Sequence, residues 1–205
     1  MNEIFQSELS IKYSELSFNI GSLFKFSILA FVVSFVGITA KADSISLKEA
    51  LDRSKYNVFF LRHALAPGYG DPTDFNIDNC KTQRNLNTEG KDQATFIGKD
   101  LKNIGISFDK IYSSQWCRCA ETASLLNLGE VTTFSGLNSF FQDHYDREET
   151  LGKLMNQLKS LDKNSRVLMV THQVVISAIT GINVSSGEAV AYNPSDGSAV
   201  KLSMR

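Results

Sequence analysis

The chain has 205 residues, with 21 basic and 22 acidic side chains and a formal charge of -1, a balance that excludes the basic excess of a nucleic-acid binder. A hydrophobic fraction of 42% against 21% charged excludes wholesale disorder and fits one ordinary domain with a short appendage. Three cysteines and three histidines are too few for a disulfide-built scaffold, a four-cysteine zinc site or a histidine-rich metal centre.

Phe26 to Ala40 is an uncharged apolar stretch preceded by Lys25 and running into Ala40-Lys41-Ala42. A membrane-spanning helix needs about 20 apolar residues, so this run has the length of a signal-peptide core, and its end has the small-x-small pattern of a cleavage site. The segment before it carries Glu3, Glu8 and Glu15 against Lys12, whereas a signal peptide normally starts basic. The expectation is a signal peptide over residues 1–42, cleaved after Ala42. An uncleaved N-terminal anchor is the alternative, and a buried core helix the third option. Export would place residues 43–205, read as one domain, in the periplasm, or at the inner membrane if the anchor is retained. An oxidising compartment permits disulfides, so Cys80 can pair with Cys117 or with Cys119; otherwise the three cysteines are small buried hydrophobes.

Strands and helices alternate through the rest of the chain. Ser46 caps a short helix over Leu47 to Arg53. Tyr56 to Leu61 is a continuous apolar run, the pattern of a strand covered on both faces. Gly68 to Thr82, rich in Gly, Pro, Asp and Asn, reads as a long loop. A helix follows from Thr88 to Ile104, with Ala94, Ile97, Leu101 and Ile104 three and four apart and Gly105 as its stop signal. Lys110 to Ser113 is a second strand feeding a helix over Cys117 to Leu126, and Glu130 to Phe134 a third strand. Glu148 to Leu161 repeats the helical spacing with four leucines. Arg166 to Thr171 is another buried-type strand, leading into a helix over Val174 to Thr180. Two short strands, Ala189 to Tyr192 and Ala199 to Ser203, flank a turn at Asn193 to Gly197. This alternation predicts an α/β sandwich with a mostly parallel sheet, whose ligands sit at the carboxyl ends of its strands.

Three of the predicted strands end in polar side chains: Arg62-His63 after the first, Ser113 to Arg118 after the second, and Thr171-His172 after the strand at Arg166 to Thr171. Two arginines and two histidines then share one end of the sheet, near the starts of two helices. Guanidinium forks match phosphate oxygens and stay charged, helix N-termini favour anions, and a histidine nitrogen can attack phosphorus. These residue types point to phosphoryl transfer. Each element alone is as well explained by a structural role; the order and spacing of the set carry the reading. Gln173 and Asn85 are candidates for the pocket wall or for buried hydrogen bonding, and His144 for an exposed loop.

Arg62-His63-Ala64, then Gln83-Arg84-Asn85-Leu86-Asn87-Thr88-Glu89-Gly90 leading into Gln93-Ala94, then Tyr112-Ser113-Ser114 through Arg118 to Glu121-Thr122-Ala123, and last Thr171-His172 resemble, in this order, the histidine phosphatase superfamily in its phosphoglycerate mutase-like branch. The resemblance spans about residues 56–182. It implies a three-layer sandwich with helices on both faces of the sheet, and a nucleophilic His63 that forms a phosphohistidine. It also implies that Arg62, Arg118 and His172 bind the phosphoryl group, and it implies no metal and no organic cofactor.

The sequence departs from the family where a glutamate usually protonates the leaving oxygen. Gly136 to Asp143 reads Gly-Leu-Asn-Ser-Phe-Phe-Gln-Asp, with Ser139 at the position where the resemblance implies the glutamate. Asp143 is the nearest carboxylate and the first candidate for the acid, with Asp71 and Asp74 as rivals; the alternative is that all three are solvated or turn-forming. The expected activity is that of an exported phosphatase, a phosphoric monoester hydrolase acting on a phosphorylated small molecule or surface glycan. A phosphohistidine phosphatase acting on proteins and a non-catalytic phosphate-binding domain are the alternatives. Oligomeric state is not legible in the sequence.

Overall fold

The computed structural model describes residues 44–52 and 55–203. The expected signal peptide or anchor over residues 1–42 lies outside them, as does Arg53 at the end of the first predicted helix. Among the described residues no helix is long and apolar enough to cross a membrane.

Seven strands form one sheet. In chain order the elements are β1 (Ser44–Ser46), α1 (Leu47–Asp52), β2 (Val58–Arg62), α2 (Thr88–Asn103), β3 (Lys110–Ser113), α3 (Cys117–Leu126), β4 (Val131–Thr133), α4 (Arg147–Ser160), β5 (Val167–Thr171), α5 (Gln173–Thr180), β6 (Ala189–Tyr192) and β7 (Ala199–Ser203). The strand order is β1-β7-β6-β2-β5-β3-β4. β2, β5, β3 and β4 run parallel to one another, while the β6–β7 hairpin packs antiparallel against β2. β1, which has no apolar run to announce it, closes the edge by pairing parallel to β7.

β2 and β5 sit at the centre, and their unbroken apolar sequences follow from burial on both faces. The two-residue period of a strand sorts their side chains into two cores. Phe59, Leu61, Leu168 and Val170 pack with Ile97 and Leu101 of α2 and Ala123 and Leu126 of α3. Val58, Phe60, Val167 and Met169 pack with Leu154 and Leu158 of α4 and Val175 and Ile176 of α5. The result is the mostly parallel α/β sandwich that the alternation predicts.

Local signals set the ends of the helices. The Asn87 side chain accepts from Gly90 N at 2.8 Å at the start of α2. At its other end Gly105, at φ +75°, allows Ile106 N to bond Leu101 O and Gly105 N to bond Lys102 O, a double closure that a residue with a side chain would strain. Asp146 caps α4 through Glu149 N at 2.7 Å, so the helix begins at Arg147, one residue earlier than its leucine spacing suggests. β2 begins at Val58, not at Tyr56. The α2 face toward the site is bare backbone at Gly90, where an added Cβ would stand 1.9 Å from Leu65 O, so this helix can rest directly on the segment after His63.

Candidate active site

Parallel register brings the polar strand ends together. Arg62 of β2 pairs with Thr171 of β5, and Ser113 of β3 with Val170. One residue further on, His63 N donates to Thr171 O at 3.0 Å and Ser114 N to Val170 O at 2.9 Å. His63, Ser114 and His172 therefore leave the sheet side by side, and α3 delivers Arg118 from its first turn. A cavity of about 350 Å³ opens there, lined among others by Arg62, His63, Arg84, Arg118, His172 and Gln173. The rings of His63 and His172 are nearly perpendicular, 5.5 Å apart between centroids.

The orientation of each ring follows from what it touches. His63 Nδ1 lies 2.7 Å from Ala64 O. A carbonyl can only accept, so Nδ1 carries the hydrogen and Nε2 holds the free lone pair. Burial, reinforced by Arg118 and opposed by the Ala64 bond, pushes the His63 imidazole down to about 3. His172 Nε2 lies 3.0 Å from Ser114 Oγ, and that hydroxyl spends its own hydrogen on Asn138 Oδ1 at 3.1 Å. Nε2 is therefore the donor, and the His172 Nδ1 lone pair faces Arg118 Nη2 at 3.5 Å. Burial first and Arg118 second hold His172 well below its ordinary value, so both imidazoles are neutral in the free protein.

Arg62 is fixed through Nη1, which donates to Gln173 Oε1 at 2.9 Å and Val184 O at 2.8 Å. Arg118 is clamped by Asp71 through two bonds, Nη1 to Oδ1 at 2.8 Å and Nη2 to Oδ2 at 3.2 Å. Trp116 Nε1 and the Arg84 backbone N–H hold the same carboxylate. Burial tends to raise the Asp71 pKa, but these donors outweigh it and keep the carboxyl below its usual range. The Nε groups of Arg62 and Arg118 are buried with no acceptor among the described residues.

Arg84 is the site residue that reading the residue types alone overlooks. It lies in the Gln83-Arg84-Asn85 run that carries part of the family resemblance, which was the available signal. Its guanidinium lines the cavity and is pinned by Nε to Gly70 O at 2.8 Å and by Nη1 to Ala66 O.

None of the three candidate acids lines the cavity. Asp71 is taken up by Arg118, with side-chain exposure of 3%. Asp74 and Asp143 are exposed, the latter just after the backbone reversal at Gln142. Ser139 does line the cavity, at the position where the family resemblance leads one to expect glutamate. His144 is no free surface residue: it stacks on Phe75 at 4.2 Å, outside the cavity lining. Cys80 and Cys117 form a disulfide that ties the long loop to the first residue of α3, while Cys119 is free and buried. Its Sγ sits 3.4 Å from His172 Nε2, and burial pushes its thiol up to about 12, which keeps it protonated and unreactive. Among the described residues no group of three or more His, Cys, Asp or Glu side chains is placed to hold a metal ion.

The fold and site together define an α/β protein with a strand-end anion pocket built from three arginines and two neutral histidines. Residues 58–140 match the family model of the histidine phosphatase superfamily (branch 1). A mitochondrial serine/threonine-protein phosphatase Pgam5 of Caenorhabditis briggsae is 30% identical over 90 residues, 42% of this chain and 28% of that protein. The chain thus spans less than a third of the relative it matches. A putative alpha-ribazole-5'-P phosphatase from Escherichia coli superposes with a TM-score of 0.50 at 19% identity, covering 72% of this chain and 96% of that one. A phosphoserine phosphatase from Entamoeba histolytica, solved with 3-phosphoglyceric acid, gives 0.51 at 17% identity, covering 71% and 94%. These two likenesses show the fold.

Proposed function

We propose that the chain is a histidine phosphatase that hydrolyses phosphomonoesters through a phosphohistidine on His63. The observation that carries this reading is the fixed tautomer of His63: its Nδ1 hydrogen is held by Ala64 O, which leaves the Nε2 lone pair in a cavity lined by three guanidinium groups. In the first step Nε2 attacks phosphorus and the P–O bond to the leaving group breaks. In the second, water attacks the phosphohistidine, the P–N bond breaks, and inorganic phosphate and neutral His63 are restored. Arg62, Arg84 and Arg118 offset the charge of the phosphoryl oxygens in both steps, and Gln173 aligns Arg62.

An alkoxide leaves poorly without a proton donor, and among the described residues no carboxylate stands on the cavity wall. The preferred esters are therefore those whose leaving group is stable as an anion. The same observation supports the second reading, a phosphohistidine phosphatase acting on proteins, because an imidazole departs more readily than an alkoxide.

The apolar run before Ala42 supports an exported enzyme. The Cys80–Cys117 disulfide is in keeping with an oxidising compartment.

The test is hydrolysis of 4-nitrophenyl phosphate by the wild type and by His63→Ala, with acid-quenched trapping of labelled phosphate on the protein. The wild type turns over and becomes labelled, while the variant loses at least about a thousandfold in rate and takes up no label. Equal rates for the two proteins would leave a phosphate-binding domain as the only standing interpretation.

A further inference from the structure

Beyond the phosphate groups the cavity changes character. Its remaining wall includes Leu65, Ala66, Pro67, Tyr69, Phe141 and Val174, and among the described residues no Lys, Asp or Glu lines it. Tyr69 keeps 89% of its surface exposed, unusual for a large apolar ring. It meets Phe141 edge to face, with centroids 5.2 Å apart and planes at 85°.

The two rings come from loops more than seventy positions apart, and a specific tie holds the loops in place. Gln142 Oε1 accepts from Asp71 N at 2.7 Å, and Gln142 Nε2 donates to Asp71 O at 3.4 Å. A Cβ at position 70 would come within 2.7 Å of Gln142 Oε1, so Gly70, at φ +67°, is what admits the tie. Gln142 and Asp143 both adopt left-handed backbone at φ 62° and 55°, a conformation that costs non-glycine residues about 1–2 kcal/mol each. Asp71 also clamps Arg118, so the ring pair and the phosphate-binding arginine share one anchor.

We propose that Tyr69 and Phe141 form a seat for a planar ring carried by the leaving group, and that the substrates of the site are aryl phosphomonoesters. The proposal rests on the phosphatase reading above and names its substrate class. Perpendicular rings form a corner in which a third ring stacks on one and meets the edge of the other, both favourable aromatic geometries. Beyond the arginines, the described wall offers a carboxylated leaving group no cation, only the hydrogen-bonding groups of Ser139, Gln173 and Ser186. An aryloxide also departs without an acid, which suits a cavity that has Ser139 and, among the described residues, no carboxylate on its wall.

Calorimetric titration with three phosphonates reads the seat without requiring turnover. Benzylphosphonate binds about two- to tenfold more tightly than methylphosphonate, and cyclohexylmethylphosphonate, equally bulky but not planar, falls short of benzyl. Tyr69→Ala and Phe141→Ala each bring the benzyl-to-methyl ratio close to one, and Tyr69→Phe keeps it. Tyr69 is exposed, so its replacement leaves the fold intact, which thermal unfolding checks. A wild-type ratio of one, a cyclohexylmethyl affinity equal to benzyl, or a ratio unmoved in both alanine variants overturns the seat. Failure of the phosphatase reading looks different: the phosphonates bind in the expected order while the wild type hydrolyses no faster than His63→Ala. If no phosphonate binds, both ideas fall.

Discussion

At the scale of single residues, the site depends on which proton sits where. The Ala64 carbonyl leaves the free lone pair on His63 Nε2, and burial together with Arg118 keeps it unprotonated down to about pH 3. Neither imidazole of the pocket therefore takes up a proton between pH 5 and 8. A phosphomonoester loses its second proton near pH ~6, and the dianion is the better match for three arginines. Below that pH the substrate carries less charge, so kcat/KM falls as pH drops through the substrate's ionisation, well before His63 protonates. Measured across aryl phosphates of differing second ionisation, the acid limb of kcat/KM moves with the substrate. A limb fixed near pH 6.5 for every substrate would point to a titrating histidine and contradict the buried, neutral His63. Residue types alone suggested Arg62, His63, Arg118 and His172 because each follows a strand or opens a helix. They could not show that Asp71 would be tied up by Arg118, since Asp71 sits in a loop with no periodicity and its partner lies 47 positions away.

Elements position these residues, and the least regular of them matters most. The stretch between β2 and α2 contains little regular structure beyond a single 3-10 turn at Cys80–Thr82. Yet it supplies Tyr69, Gly70, Asp71 and Arg84 to the site. The Cys80–Cys117 disulfide staples it to α3 immediately before Arg118, closing a loop with a sequence separation of 37. In the chain-entropy description a cross-link of that span stabilises by up to about 4 kcal/mol. Cys80→Ser should therefore unfold at lower urea concentration, by an amount equivalent to about 2–4 kcal/mol, and dithiothreitol should lower the wild type to the same midpoint while leaving the variant where it is. Equal midpoints for oxidised and reduced wild type would show that the staple contributes nothing. The helices were legible because their apolar spacing and caps are local, and the central strands because burial on both faces demands unbroken apolar runs. β1 was missed for the complementary reason: a three-residue edge strand reading Ser-Ile-Ser carries no pattern of its own and exists only because β7 offers it a ladder.

For the whole molecule, keeping two imidazoles buried and neutral has a stability consequence. In the unfolded chain each takes up a proton near pH ~6.5, whereas in the folded protein His63 does so only near 3 and His172 well below its ordinary value. The unfolded state binds more protons across that interval. Stability is therefore complete above about pH 6.5 and is lost as the pH falls toward the folded values, by up to about 1.4 kcal/mol per pH unit for each histidine. Urea titrations between pH 7 and 4 should show this slope, and His63→Ala should remove about half of it. A slope identical in both proteins would mean that His63 is already protonated in the fold. Sequence by itself determined the alternation of strands and helices, the two-sided burial of the central sheet and the four polar residues at its strand ends, because these depend on periodicities of two and 3.6 and on groups placed directly after their own elements. Only the tertiary structure decided that Arg84 joins the pocket, that Asp71 restrains Arg118 instead of facing a leaving group, that Cys80 pairs with Cys117 and that Tyr69 meets Phe141. Each of these joins segments far apart in the chain through parallel register and loop packing, and such contacts leave no local pattern in the sequence.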